Sequence, residues 1–314
     1  MTSPPGAEEP KPVVWIIVLN WNRPEDTLQC VSSLRLLDYP SYRILIVDNG
    51  STDNSVEQFR QLTGVELLVS DQNLGFGVGN NLGIEHALAR GADYTLLLNN
   101  DTTVSPPLVS ALVNLAESDP QVGIVGPTIF YSGSPDQVWF SGMRFRFGLY
   151  VIRVGRRLGR QRAPTEDVDF ISGCGMLVRR ELWNHVGLFD PRFFMYYEDL
   201  DLCVRAAKAG YRLVSTTGAH MWHALSASTG GPDSPMKQYY QVKSTFLFCE
   251  KHTRGLTRVV TLSIRLTHAG WMAARQVASG RLPREAIRLY LRGIAETLVG
   301  SRTRKPRPKS EEAS

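Results

Sequence analysis

The stretch VVWIIVLNWNRPEDTLQCVSSLRLLDYPSYRILIVDNG, Val13–Gly50, decides the fold. Val13–Leu19 is an uninterrupted apolar run, Pro24–Leu37 has helical spacing, and Tyr42–Asp48 is a second apolar run. Continuous β-branched runs, as opposed to alternating ones, belong to strands covered on both faces, and a helix between two of them makes the sheet parallel. Moving downstream, the alternation continues. A helix is expected over Asp53–Gln61, a strand over Val65–Ser70 and a helix over Val78–Arg90. Then follow a strand at Tyr94–Leu98, a helix at Pro106–Glu117 and a strand at Val122–Gly126. The expected fold is an α/β sandwich with a mostly parallel sheet flanked by helices.

In such sheets ligands bind beyond the carboxyl ends of the strands. Polar residues collect there four times: Asn20 and Asn22, Asp48 and Asn49, Asp71 and Asn73, and Asn99–Asp101. One such end would be an ordinary turn, because Asn, Asp and Gly favour turns locally. Four on one edge point to a site. The three leucines of "YTLLLNNDTTV" (Tyr94–Val104) run straight into amides and a carboxylate, which are costly to bury unless something binds them.

Composition sets limits. The 314 residues are 43% hydrophobic and 9% aromatic, ordinary for a globular protein. Residues 251–314 carry 14 Lys/Arg against four Glu, whereas residues 1–250 carry 21 against 26 Asp/Glu. A basic tail on an acidic body suggests an anionic surface as partner, or else a solvated helix face. Four cysteines without a CxxC pair, and no signal peptide, suggest a reducing cytosol. No run approaches the ~18–20 apolar residues that span a bilayer. "GFGVGNNLG" fails the G-x-G-x-x-G pattern and there is no G-x-x-x-x-G-K-[ST], which argues against a dinucleotide oxidoreductase and a P-loop hydrolase.

The motifs "IIVLNWNRPEDTLQCVSSL", "ILIVDNGSTDNS", "NLGFGVGNNLGI", "LLLNNDT", "ISGCGMLVRRELWNHVGLFDPRFFMYYEDLDLCVRAAKAGYRL" and "HMWH" together resemble the inverting family 2 glycosyltransferases, nearest to the rhamnosyltransferase-like and galactofuranosyltransferase-like branch. The resemblance covers residues 13–225 in order and spacing. It implies a GT-A type nucleotide-diphospho-sugar transferase fold with a C-terminal helical extension. The boundaries expected are a disordered start (1–12), a catalytic domain (13–235), a basic amphipathic extension (236–300) and a disordered tail (301–314).

The same resemblance assigns roles. Asp101, last in Asn99-Asn100-Asp101, is expected to hold Mg²⁺ or Mn²⁺ on the nucleotide diphosphate, since hard cations take carboxylate oxygen. The family often has Asp-x-Asp here, and the asparagines put strict metal dependence in question. His223, with His220 as the alternative, is the expected second ligand. Asn20, Asn22, Asp48, Asn73, Gly75, Gly79, Asn80 and Asn100 are expected on the nucleotide-sugar, with Asp48 accepting from the imide N–H of uracil or thymine. Asp199 is the expected base, taking the acceptor hydroxyl's proton, with Glu198 and Gly173 on the acceptor side.

The residues alone suggest Asp53 as a helix cap, an Asp201–Arg205 pair at i, i+4 and sugar stacking by Trp139 or Trp222. On the expected helices Leu256–Ser279 and Arg284–Val299, the stripes Arg258, Arg265, His268, Arg275 and Arg284, Arg288, Arg292 read as basic amphipathic surfaces for an anionic membrane. Nucleic acid is not expected, since no motif for it accompanies the charge. The expected function is transfer of one sugar, rhamnose or similar, from a dTDP- or UDP-sugar to a glycan or polyprenyl-linked acceptor. The expected place is the cytoplasmic face of the membrane. The rival reading is a non-catalytic sugar-nucleotide or glycan-binding protein on the same fold.

Overall fold

The computed structural model describes residues 10–144, 163–225 and 235–278. The basic loop Arg153–Arg162, the helix expected at Arg284–Val299 with its arginine stripe, and the tail from 301 lie outside the described residues. The chain forms two compact units, Met1–Ser228 and Thr229–Ser314.

The first unit opens with β1 (Val14–Asn20), α1 (Pro24–Leu34), β2 (Tyr42–Asp48), α2 (Ser55–Phe59), β3 (Val65–Val69), α3 (Gly75–Ala89) and β4 (Tyr94–Asn99). It continues with β5 (Thr102–Val104), α4 (Leu108–Glu117), β6 (Val122–Tyr131), β7 (Ser134–Phe140), β8 (Thr165–Asp167) and β9 (Gly175–Arg179). It closes with α5 (Arg180–Val186), α6 (Glu198–Lys208) and β10 (Arg212–His223). The sheet runs β3-β2-β1-β4-β9-β6-β10-β5, with β7 beside β6 and β8 beside β10.

The expected parallel arrangement holds for β3, β2, β1 and β4. Beyond β4 the sheet is mixed, because β9 runs antiparallel to both β4 and β6. Apolar runs such as Met176–Val178 mark burial on both faces but carry no direction, so the sequence pattern did not reveal this reversal. Register matters for function. Asn20 is level with Asp48, and Leu19 with Asn99, so the polar ends of β1, β2 and β4 share one edge.

Two apolar clusters cover the two faces. One places Ile16, Val18, Ile46 and Leu98 against α1 and α4; the other places Ile17, Val47 and Leu97 against α3, α5 and α6. Helix α1 starts at Pro24 with Glu25 and Asp26 in its first turn and buries Thr27, Cys30, Val31 and Leu34, an amphipathic spacing. It stops three residues short of the expected Leu37. Helix α3 departs by as much at its start, beginning at Gly75 and not Val78. Glycines are poor helix formers, at about 1 kcal/mol each. Here they serve contact with the sheet: a methyl on Gly83 would come within 2.7 Å of Ile17 Cγ2, and one on Gly79 within 2.7 Å of Leu19 Cδ1.

The second unit holds α7 (Pro235–His252) and α8 (Gly255–Ala278). Among the described residues no helix is long and apolar enough to cross a membrane.

Candidate active site

The strand ends of β1 and β2 are tied into one buried network. Asn20 and Asp48 are both 0% exposed. Asn20 Nδ2 donates to Asp48 Oδ2 at 2.9 Å, Ser51 Oγ donates to the same oxygen at 2.6 Å, and Ser51 N donates to Asp48 Oδ1 at 3.0 Å. Thr27 Oγ1 donates to Asn20 Oδ1 at 2.8 Å. Asn22, in the left-handed region at φ 52°, accepts from Thr52 N at 2.7 Å and donates its own N–H to Ser51 Oγ at 2.9 Å. Both carboxylate oxygens of Asp48 are engaged, so Asp48 ties the two loops together from within. Asp48 Oδ1 accepts one bond in this network and keeps acceptor capacity.

Asn100 joins the knot to β4. Its Nδ2 donates to Thr27 Oγ1 at 3.1 Å and lies 3.4 Å from Asn20 Oδ1 and from the Arg23 carbonyl. The neighbouring Asp101 carries Oδ1 3.0 Å from His223 Nε2, brought there because β10 pairs antiparallel with β5. A carboxylate oxygen and an imidazole nitrogen are a donor set that suits a divalent cation. No cluster of three such side chains occurs among the described residues, so these offer two ligands and other oxygens would complete the shell. His223 Nδ1 is buried without a hydrogen-bond partner, and the Trp139 ring meets the imidazole edge-on at 4.7 Å. Trp222 stacks on Phe130 at 6.2 Å with its Nε1 3.3 Å from the Pro135 carbonyl.

A second clamp holds the start of α3. Asn73 Oδ1 accepts from Gly75 N at 2.9 Å; Asn49 Oδ1 accepts from Leu74 N at 3.0 Å, and Asn49 Nδ2 donates to the Gly75 carbonyl at 3.1 Å. Asn49 carries no role in the family resemblance; its place directly after Asp48 at a polar strand end is the signal that points to it. Gly79 lies against Leu19 and Asn49, which makes it a packing residue beneath this clamp. Asn80 is 1% exposed; its Nδ2 donates to the Phe76 carbonyl at 2.9 Å while Oδ1 is buried with no partner.

The carboxylates of "YYEDLDL" begin α6. Asp199 Oδ2 accepts from Gly173 N at 3.0 Å and Oδ1 from Leu200 N at 2.8 Å. Burial raises the Asp199 pKa, opposed by those two backbone N–H groups. Glu198, 5% exposed, is pushed well above the usual carboxylate range by burial first and by Asp199 and Asp201 next, and its Oε2 has no partner. Both carboxyls of this closely spaced pair are thus raised, Glu198 the more strongly. Asp201 meets Arg205 at 2.8 Å as the i, i+4 spacing predicted, and Arg205 also binds the carbonyls of Val186, Gly187 and Leu188. Two successive non-glycine residues, Tyr196 and Tyr197, have φ of 68° and 71°. Left-handed backbone costs roughly 1–3 kcal/mol per residue and persists only where surroundings enforce it. Asp53, expected to cap α2, does accept from Ser55 N at 3.0 Å, but the helix begins two residues later than expected.

The two carboxylates are joined through one short loop. Gly173 N reaches Asp199, while the next residue's carbonyl, Cys174 O, accepts from Asn99 N at 3.1 Å, two residues before Asp101. Burial raises the Cys174 thiol well above its ordinary value, and both Asp101 and Asp199 add to the shift. The edge therefore runs without a break from Asp48 through Asn20, Asn100 and Asp101 to Asp199.

A family model described as "Glycosyl transferase family 2" matches residues 15–187. Over 270 residues the chain is 31% identical to N-acetylglucosaminyl-diphospho-decaprenol L-rhamnosyltransferase of Mycobacterium tuberculosis, covering 78% of this chain and 85% of that protein. It is 23% identical to dTDP-rhamnosyl transferase RfbF of Shigella flexneri, covering 82% and 88% of the two chains. Of solved structures, that of GalNAc-T7 with UDP, GalNAc and Mn²⁺ superposes with a TM-score of 0.60 at 14% identity, over 78% of this chain and 51% of that one. The chain thus spans about half the length of that enzyme, and the likeness establishes a GT-A fold. With the model matching more than half of its length, the chain belongs to glycosyl transferase family 2.

Proposed function

We propose that the protein is an inverting glycosyltransferase that moves one sugar, rhamnose by the names of its relatives, from a dTDP- or UDP-sugar to a glycan or polyprenyl-linked acceptor in cell-wall polysaccharide synthesis. The observation that carries this reading is the loop Gly173–Cys174, which bonds to Asp199 on one side and to the Asn99–Asp101 strand end on the other. A base and a diphosphate site so placed face opposite ends of the same transfer. Asp199 takes the proton from the acceptor hydroxyl; that oxygen bonds the anomeric carbon as the bond to the diphosphate oxygen breaks, its electron pair leaving with the diphosphate. Asp101 and His223 would hold a divalent cation, Mg²⁺ or Mn²⁺, whose charge offsets that of the leaving diphosphate. Glu198, its carboxyl raised by burial, would when protonated spare Asp199 a second negative charge alongside and donate to a sugar hydroxyl. The Asn49–Asn73 clamp presents the α3 start to the nucleotide.

Nucleotide release from dTDP-rhamnose and UDP-sugars with Mn²⁺ tests the reading. Asp199→Asn should lower transfer by roughly 10²–10⁴-fold while keeping donor binding. Asp101→Ala should weaken donor binding only when metal is present. Transfer by Asp199→Asn at the wild-type rate would remove the base assignment, and donor binding with no turnover in the wild type would favour a binding protein.

A peripheral place at the inner membrane face is part of the same proposal; of the expected basic stripe on α8, the side chains of Arg265, His268 and Arg275 lie outside those described. Arg258 folds back onto the carbonyls of Glu250 and Thr253, closing the end of α7. Instead, α8 exposes Leu256, Ile264 and Trp271, which fall on one face at 3.6 residues per turn. Sedimentation with anionic and neutral vesicles, before and after Trp271→Ala, measures that contribution.

A further inference from the structure

The first turn of α3 lies between the two halves of the candidate site, and one of its side chains has no role in the reading above. Gly75 has φ +80°, and a methyl there would come within 2.1 Å of the Phe194 carbonyl, which also accepts from Phe76 N at 2.9 Å. The donor-side clamp of Asn49 and Asn73 grips this same residue through its N–H and carbonyl. On the other side, a methyl on Gly77 would lie 3.5 Å from Glu198 Cβ, and one on Gly173 would lie 3.0 Å from Phe76 Cε1 and Cζ and 3.5 Å from Asp199 Cβ. The Phe76 ring, set edge-on to Phe189 at 6.3 Å, thus backs the glycine whose N–H holds the base. Between Phe194 and Asp199 stand the two left-handed tyrosines, a backbone that keeps its shape only while both flanks are held.

We propose that Phe76 is a positioning residue: by pressing on Gly173 and by its backbone bond to Phe194, it fixes Asp199 relative to the donor-side clamp, so that the base is aligned when the α3 start is held. The inference rests on Asp199 being the base. Loss of the ring lets Gly173 N–H withdraw from Asp199, and with it a contact that lowers the Asp199 pKa.

The test uses Phe76→Leu, with Phe76→Met as the variant that refills the volume, in the full chain with Mn²⁺. Nucleotide affinity is measured by calorimetry, folding by thermal melting, and kcat across pH. The expected result for Phe76→Leu is a kcat about tenfold lower, donor affinity within about twofold of wild type, and an acid limb of kcat moved to higher pH, with Phe76→Met restoring most of both. An unmoved acid limb in whichever variant folds, with kcat falling only as the folded fraction falls, would make Phe76 a packing residue and overturn the proposal. So would donor affinity falling in step with kcat. Asp199→Asn is run in parallel. If it keeps wild-type transfer, the base assignment fails; if it is inactive while Phe76→Leu behaves as wild type, only the positioning role fails.

Discussion

Two neighbouring parts of the strand edge treat their buried polar groups in opposite ways. At the ends of β1 and β2, Asn20, Thr27, Asp48 and Ser51 are closed into one network with all their oxygens bonded. On the α3–α6 side, Asn80 Oδ1 and Glu198 Oε2 are buried with no partner, and Tyr196 and Tyr197 are held left-handed. An unmet buried polar group costs about 1–3 kcal/mol, so a fold keeps one only where something else requires it. In the first region the fold satisfies its own buried groups and so acts as scaffold. The second carries unmet groups and strain beside the candidate base, where binding a sugar would satisfy what folding left open.

Substitutions of like residues can break this contrast. Asn20→Ala should cost roughly 2–4 kcal/mol in urea unfolding, because Asp48 and Thr27 lose a buried partner each; a cost below about 1 kcal/mol would show that the network is not the scaffold. Glu198→Gln should have the reverse sign, stabilising by about 1 kcal/mol near pH 7.5. The folded pKa of Glu198 is raised, so folded and unfolded chains are both protonated, and no penalty exists, below the ordinary carboxylate range. Stability is lost as pH climbs above that range. The advantage of Glu198→Gln should therefore vanish toward pH 4, and a gain independent of pH would refute burial of a titrating acid as its cause. Asn80→Ala should be the mildest, within about 0.5 kcal/mol of wild type, since the loss of its bond to the Phe76 carbonyl is offset by deleting an acceptor that nothing satisfies. A loss as large as that of Asn20→Ala would mean Asn80 belongs to the scaffold.

The α/β fold, the parallel order of the first four strands and the edge where polar residues gather follow from runs of apolar residues interrupted by helical spacing. These are local periodicities, and a strand covered on both faces reads the same in any context. The helix start at Glu198 and the Asp201–Arg205 pair were likewise within reach, since both partners lie within one turn. What the chain does not spell out is anything that depends on distant segments meeting. The reversal of β9, the glycine-rich first turn of α3 and the absorption of Asp48 into an internal network are set by packing between residues tens of positions apart. The approach of His223 to Asp101 is of the same kind, since antiparallel pairing of β10 with β5 brings together residues more than a hundred positions apart. Sequence by itself determined which groups would crowd one edge of the sheet; only tertiary structure decided which of them are consumed by one another and which are left open, because hydrogen bonds in a buried site are allotted by three-dimensional distance and not by order along the chain.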